Sequence, residues 1–71
     1  MSQSEVYERL KKFYSASNEQ VSEYAGLVEV QVFDHNEGTK ITKEEIHAVL
    51  NYQVDLQSIR QIDPWTIVIT F

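Results

Sequence analysis

The chain begins with apolar residues at helical spacing. Val6, Leu10 and Phe13 fall at positions i, i+4 and i+7, which places their side chains on one face of a helix. Ser2 is followed three residues later by Glu5, and this pair is typical of a capping box at a helix N-terminus. The pattern therefore predicts an amphipathic helix at the start of the chain.

A second helix is predicted after Thr42. Thr42 and Glu45 form another capping-box pair, and Ile41 and Ile46 flank this pair with the spacing of a hydrophobic staple. The apolar positions of the helix that follows are Ile46, Val49 and Leu50.

Residues 19–26 are compatible with two structures. Ser17 and Gln20 would cap a short helix that ends at Gly26. The same segment also fits a strand, and the sequence leaves both structures open.

Alternation of apolar and polar residues predicts the first clear strand. Val28, Val30 and Val32 point to one side, and the polar residues between them point to the other. Turn-forming residues at 34–38 follow this segment and end the strand.

A hairpin is predicted at the end of the chain. Asp63-Pro64 is a turn sequence between the segments Ile59–Ile62 and Trp65–Phe71. The last segment carries no charge, and strands of this kind are rarely left at an open edge. We expect it either inside the sheet, between the other two strands, or paired with its own copy in a homodimer through Trp65–Phe71.

These elements predict a small single α+β domain over residues 1–71. The expected order is an N-terminal helix and then β-α-β-β, with an antiparallel or mixed sheet covered by helices. The expected core consists of Val6, Leu10, Phe13, Val28, Val30, Val32, Ile46, Val49, Leu50, Ile59, Ile67, Ile69 and Phe71.

Composition narrows the class of protein further. Hydrophobic residues make up 42% of the 71 residues, as in globular proteins, and cysteine is absent. Without cysteine, the chain has no disulfide, no thiolate nucleophile and no Cys-based zinc site. No apolar run approaches the roughly 20 residues of a membrane-spanning helix, and the N-terminus lacks a signal-peptide pattern. We therefore expect a soluble, cytoplasmic protein that does not contact membranes.

The formal net charge of -5 comes from the middle of the chain. Between residues 13 and 39 there is no Lys or Arg. One interpretation is a solvated face that keeps the protein soluble, and the other is a docking patch for a protein partner with a basic surface. The candidate partner-binding residues are Glu19, Glu23, Glu29, Asp34 and Glu37.

The segment 34–45 resembles the calcium-binding loop of EF-hand proteins. With Asp34 at the first position, Asn36, Thr42 and Glu45 fall at ligand positions of that loop. The resemblance implies a hard-cation site with a bidentate Glu45. Gly38 and Thr39 depart from the pattern, because they stand where the family has a ligand and the turn glycine. The alternative is a strand–turn–helix junction in which Thr42 and Glu45 only cap the helix.

The β-α-β-β order from residue 27 is compatible with the RNA recognition motif. Trp65-Thr66-Ile67-Val68 resembles the aromatic-rich strand of that family, and this implies base stacking on the sheet. The strand lacks the basic and glycine residues of the family pattern, so direct nucleic-acid binding is not expected.

The sequence contains no recognisable catalytic or cofactor motif. The two histidines, His35 and His47, have no partner at metal-ligand spacing, and no phosphate-binding glycine loop is present. We therefore expect no enzyme activity, no catalytic residues, no metal and no cofactor.

The best interpretation is a non-catalytic, acidic protein–protein interaction module. By size and charge it is similar to the inhibitors and adaptors of phages and mobile elements, which block a basic surface of a nucleic-acid-handling enzyme. The alternatives are an RNA-recognition-like domain and a degenerate EF-hand-like metal-binding module.

Overall fold

The computed structural model describes residues 1–15, 18–34 and 40–71. The candidate residue Glu37 lies outside these ranges. So do Ser17, His35 and the loop positions Asn36, Gly38 and Thr39.

The described residues form two α-helices and one four-stranded sheet, and the α+β class is confirmed. The elements are α1 (Gln3–Phe13), β1 (Glu19–Tyr24), β2 (Leu27–Val32), α2 (Lys43–Val49), a 3₁₀ turn (Leu56–Ser58), β3 (Ile59–Asp63) and β4 (Thr66–Thr70). Residues 19–24 are a strand, so the helix considered for this segment is wrong. The order is therefore α-β-β-α-β-β, with one strand more than the predicted series.

The sheet is antiparallel throughout, in the order β1-β2-β4-β3. It is built from two hairpins, β1–β2 and β3–β4, which meet where β2 pairs with β4. β4 is therefore bonded on both sides, which is the first of the two positions predicted for Trp65–Phe71. Because β4 has no free edge in this sheet, it cannot pair through its backbone with β4 of a second copy.

The core lies between one face of the sheet and the two helices. Alternate residues of a strand point to the same side of a sheet, and four of them are fully buried on this face: Val28 and Val30 of β2, and Ile67 and Ile69 of β4. The helices and the segments beside them contribute Val6, Leu10, Tyr14, Ile41, Ile46, Leu50 and Val54 to the core.

For two residues the prediction of a core position is wrong. Phe13, in the last turn of α1, is 60% exposed, and Phe71, directly after β4, is 48% exposed. At the end of α1 the adjacent Tyr14 occupies the core instead, four residues after Leu10. Val49 is only partly buried, although it packs against the core as predicted.

The predicted helix starts are confirmed in atomic detail. The Ser2 hydroxyl accepts a hydrogen bond from the Glu5 amide, and the Glu5 carboxylate accepts one from the Ser2 amide. The Thr42 hydroxyl accepts from the Glu45 amide at 3.2 Å, but this predicted capping box is only half formed, because the Glu45 carboxylate accepts from the Tyr14 hydroxyl and not from the Thr42 amide. These bonds satisfy amides that have no partner inside the helix, which is why each helix begins there.

The segment before α2 is attached to the β3–β4 hairpin. The Ile41 amide donates to the Pro64 carbonyl at 3.0 Å, and the Gln61 side chain bonds both the Ile41 carbonyl and the Lys43 amide. Ile41 is thereby held in the core, so α2 starts against β3.

Candidate protein-interaction surface

Four of the five candidate acidic residues belong to one structural unit. We name residues 18–34 the acidic hairpin, since they contain β1 and β2, with Glu19, Glu23, Glu29 and Asp34 as the only charged residues. β1 forms one outer edge of the sheet. The negative charge that is contiguous in sequence is therefore also gathered in one hairpin at this edge of the sheet.

The geometry of the acidic hairpin follows from its turn. Ala25 and Gly26 connect the strands, and Gly26 has φ +82°, a conformation that residues with a side chain rarely adopt. The Gln3 side chain of α1 donates to the Tyr24 and Leu27 carbonyls on either side of the turn. The start of α1 therefore holds this end of the hairpin.

The acidic residues do not share one face. Glu19 and Glu23 lie opposite Val32 and Val28 and so take the helix-covered side of the β1 edge, whereas Glu29 lies opposite Ser22 on the other side. Asp34 follows β2 at the far end of the hairpin. The predicted set is thus divided between the two sides of one sheet edge, and Glu37 is outside the described residues.

Glu19 and Glu23 differ in the exposure of their carboxylates. The exposed Glu23 carboxylate accepts a hydrogen bond from the Gln3 side chain at 3.3 Å. One oxygen of Glu19 is buried and has no hydrogen-bond partner among the described residues. Glu23 is therefore the more accessible of the two for a partner.

Tyr14 and Glu45 form a polar contact that the sequence did not reveal. The Tyr14 hydroxyl donates to the Glu45 carboxylate at 2.9 Å, joining the end of α1 to α2. Burial, the bond to Glu45 and the nearby charge of Glu19 all raise the pKa of Tyr14. The only sequence clue was the spacing of four residues between Leu10 and Tyr14, which puts both on the same helix face.

The Tyr14–Glu45 contact bears on the EF-hand resemblance. Thr42 and Glu45, two of its ligand positions, here cap α2 and bind Tyr14, and a strand precedes the loop where EF-hand proteins have a helix. Within the described ranges, no group of three or more His, Asp or Glu residues is arranged to hold a metal. The rest of that loop, residues 35–39, is outside the described residues.

The segment that resembles an RNA-recognition strand turns its aromatic residue inward. Trp65 packs against the core, while Thr66 and Val68 of β4 lie on the side of the sheet away from the helices. On that side Val68 lies between Glu29 and Arg60, so the row carries one charge of each sign rather than the basic surface that a phosphate backbone favours. Trp65 itself is therefore not placed on that side for base stacking.

The helical side carries an open groove of about 950 Å³ beside α1 and α2. Its apolar lining comes from Met1, Phe13 and Val49, and its charged lining from α1. His47 lies elsewhere on α2 and contacts the Tyr52 ring edge-on, with 5.0 Å between ring centroids. The described part of the groove thus offers charge and apolar surface without a histidine to act as a base.

Comparison with known proteins found no match. No protein-family model, no curated protein and no solved structure matches the chain. In the part of the chain that is described, neither helix has the length and apolarity needed to cross a membrane.

Proposed function

We propose that the protein is a non-catalytic interaction module that docks through the acidic hairpin onto a basic surface of another protein. In this role it acts as an inhibitor or adaptor of a nucleic-acid-handling enzyme, whose basic surface it occupies. The observation that supports the proposal is that four acidic residues, with no Lys or Arg among them, share one hairpin at an edge of the sheet.

Electrostatic attraction explains how such a surface would work. Charge of one sign on one side of a small protein steers its encounter with a partner of the opposite sign. Arg9, Lys11 and Lys12 lie on α1 and not on the hairpin, so the hairpin itself carries charge of one sign only.

The RNA-binding and cation-binding alternatives have weaker support. On the side of the sheet away from the helices, Val68 lies between the acidic Glu29 and the basic Arg60, and this mixed pair is not the basic, aromatic surface that RNA binding favours. Glu45, the main ligand that a cation site would need, already accepts the Tyr14 hydrogen bond.

The test compares two variants with the same change in net charge. The hairpin variant carries Glu23→Lys and Asp34→Lys, and the control carries Glu8→Lys and Glu44→Lys at exposed positions of the two helices. Glu19 is left unchanged because one of its oxygens is buried, and Glu29 because its side chain is half-buried.

Affinity capture with each protein as bait, followed by mass spectrometry, identifies the partners. We expect a protein that the wild type and the control retain and the hairpin variant loses. Its association rate with the wild type should fall as salt concentration rises. If the hairpin variant and the control lose the same proteins, the acidic hairpin is only a solubilising surface and the proposal fails.

A further inference from the structure

The side of the sheet away from the helices has a charge pattern of its own. We name it the open face. Its central row runs from Glu29 on β2, through Val68 on β4, to Arg60 on β3. Neighbouring strands are about 4.8 Å apart, so one acidic and one basic residue flank Val68 at equal distances.

These two charges have no partner in the part of the chain that the structure describes. Among the described residues, neither the Glu29 carboxylate nor the Arg60 guanidinium takes part in a hydrogen bond or ion pair. Glu29 is half-buried and lies beside the apolar Val68, where an unpaired charge is less well solvated than on a free surface. A partner that brings a positive charge to Glu29 and a negative charge to Arg60 would therefore be favoured.

A second copy of this chain fits that requirement. When two open faces meet across a two-fold axis that runs along β4, each β2 lies over the partner's β3. Glu29 of each protomer then faces the partner's Arg60, and Val68 meets the partner's Val68 at the axis. We infer that the open face is the contact surface of a symmetric homodimer, an isologous interface with two equivalent ion pairs.

The other symmetric arrangements are worse. With the axis perpendicular to the strands, Glu29 would face the partner's Glu29, which places like charges together. With the axis between β2 and β4, Glu29 would face the partner's Val68 and stay unpaired. The charge pattern therefore selects one orientation, and it corresponds to the aligned packing common in sheet-on-sheet contacts.

The size of the contact predicts a weak dimer. Three overlapping strands of about five residues cover a footprint of about 14 Å by 17 Å, or about 240 Å². This area is far below the roughly 800 Å² that each partner buries in a stable complex. Of the residues that flank Val68 on this side of β4, Thr70 adds only a small side chain to the contact, and Thr66 is buried, with 8% of its surface exposed. Association should therefore require high protein concentration and weaken as salt increases.

The test uses two charge-reversal variants, Glu29→Arg and Arg60→Glu. Each alone places like charges together twice in the dimer, so each should weaken self-association at least about tenfold, as measured by sedimentation equilibrium. Mixed in equal amounts, the two variants should form a heterodimer, because the arginines of the first face the glutamates of the second. Isotope-labelled Glu29→Arg protein titrated with unlabelled Arg60→Glu protein should show NMR shift changes centred on Val68.

The control is Glu44→Arg on α2, which should self-associate like the wild type, and circular dichroism checks that each variant is folded. A wild type that remains monomeric at millimolar concentration overturns the inference and leaves the open face to a different partner. A dimer that neither reversal weakens, or variants that fail to associate when mixed, also overturns it. The hairpin variant used for the proposed function retains Glu29 and Arg60, so the two proposals fail independently.

Discussion

Two adjacent aromatic residues at the end of α1 show how much one position along a helix matters. Phe13 is 60% exposed, whereas Tyr14 is 6% exposed and packs in the core. Their rings meet edge to face with 4.9 Å between centroids, so Phe13 covers Tyr14 from the solvent side. The Tyr14 ring can be buried without leaving its hydroxyl unpaired, because the Glu45 carboxylate accepts a hydrogen bond from that hydroxyl.

Replacing Tyr14 with Phe should lower the free energy of unfolding at neutral pH, and it should also make that free energy fall less steeply at alkaline pH. At neutral pH the lost bond to Glu45 should cost about 1 kcal/mol of unfolding free energy, since the exposed Glu45 can bond to water instead. The pKa of Tyr14 is raised in the folded state above its ordinary 10.0. Above that pH the unfolded chain ionises first, so the wild type should lose stability as pH rises.

Urea unfolding at a series of pH values measures both effects. The stability of Tyr14→Phe should fall less steeply than that of the wild type above pH 10, because one shifted group has been removed. An identical alkaline slope in the two proteins would contradict the buried, neutral hydroxyl.

The role of Gly26 depends on its backbone conformation rather than on side-chain contacts. At φ +82° an added Cβ would meet only the Phe71 carbonyl oxygen, at 4.0 Å, so space is available and backbone strain remains. Gly26→Ala should therefore destabilise the protein by about 1 kcal/mol. Gly26→Asn should cost less, because Asn adopts positive φ more readily. Equal thermal unfolding midpoints for the wild type and Gly26→Ala would contradict this role.

At the scale of elements, β4 separates two environments within five residues. Ile67 and Ile69 are fully buried beneath the helices, whereas Val68 between them is half-buried on the open face. Both faces are apolar at these positions, yet the predicted core contained Ile67 and Ile69 and left out Val68, which agrees with their burial. The hydrogen-bond register with β2, which pairs Val68 with Glu29, assigns Val68 to the open face.

The two faces of β4 should respond differently to the same truncation. Ile67→Ala leaves a cavity in the core and should cost about 2–5 kcal/mol. Val68→Ala removes a half-buried side chain that solvent can replace, and it should cost about 1 kcal/mol or less. Denaturant titration of both variants provides the comparison, and a Val68→Ala cost as large as that of Ile67→Ala would show that the open face is covered in solution.

At the scale of the whole molecule, the connection between the two halves argues against a calcium sensor. β2 ends before residues 34–45, and the seven-residue α2 begins within them, at Lys43, so the segment joins a strand to a short helix. α2 is anchored to β3 and to Tyr14, which leaves Glu45 committed to the fold.

Calorimetric titration with Ca²⁺ should therefore show no binding at the roughly 10⁻⁷–10⁻⁵ M typical of sensor loops. Mg²⁺ should behave in the same way and is the matched control. Micromolar Ca²⁺ binding that is lost in Glu45→Gln would restore the metal-binding alternative.

Features that depend on neighbouring residues were readable from the sequence. The capping pairs at Ser2 and Thr42, the alternating valines of β2 and the turn at Asp63-Pro64 were all predicted, because hydrogen bonds and side-chain periods of 3.6 and 2 are local. The α+β class followed from these elements. Most of the predicted core followed as well, since residues on one face of an element are buried together.

Features that depend on distant parts of the chain were decided only by the tertiary structure. β1 has a single core-facing valine, Val21, and it becomes a strand because β2 offers six residues to pair with. The central position of β4 likewise depends on the choice of partners, which no local pattern encodes. Strand pairing also decides which side of a sheet each residue faces. The acidic residues are contiguous in sequence and belong to one hairpin, but Glu19 and Glu29 point to opposite sides of the sheet.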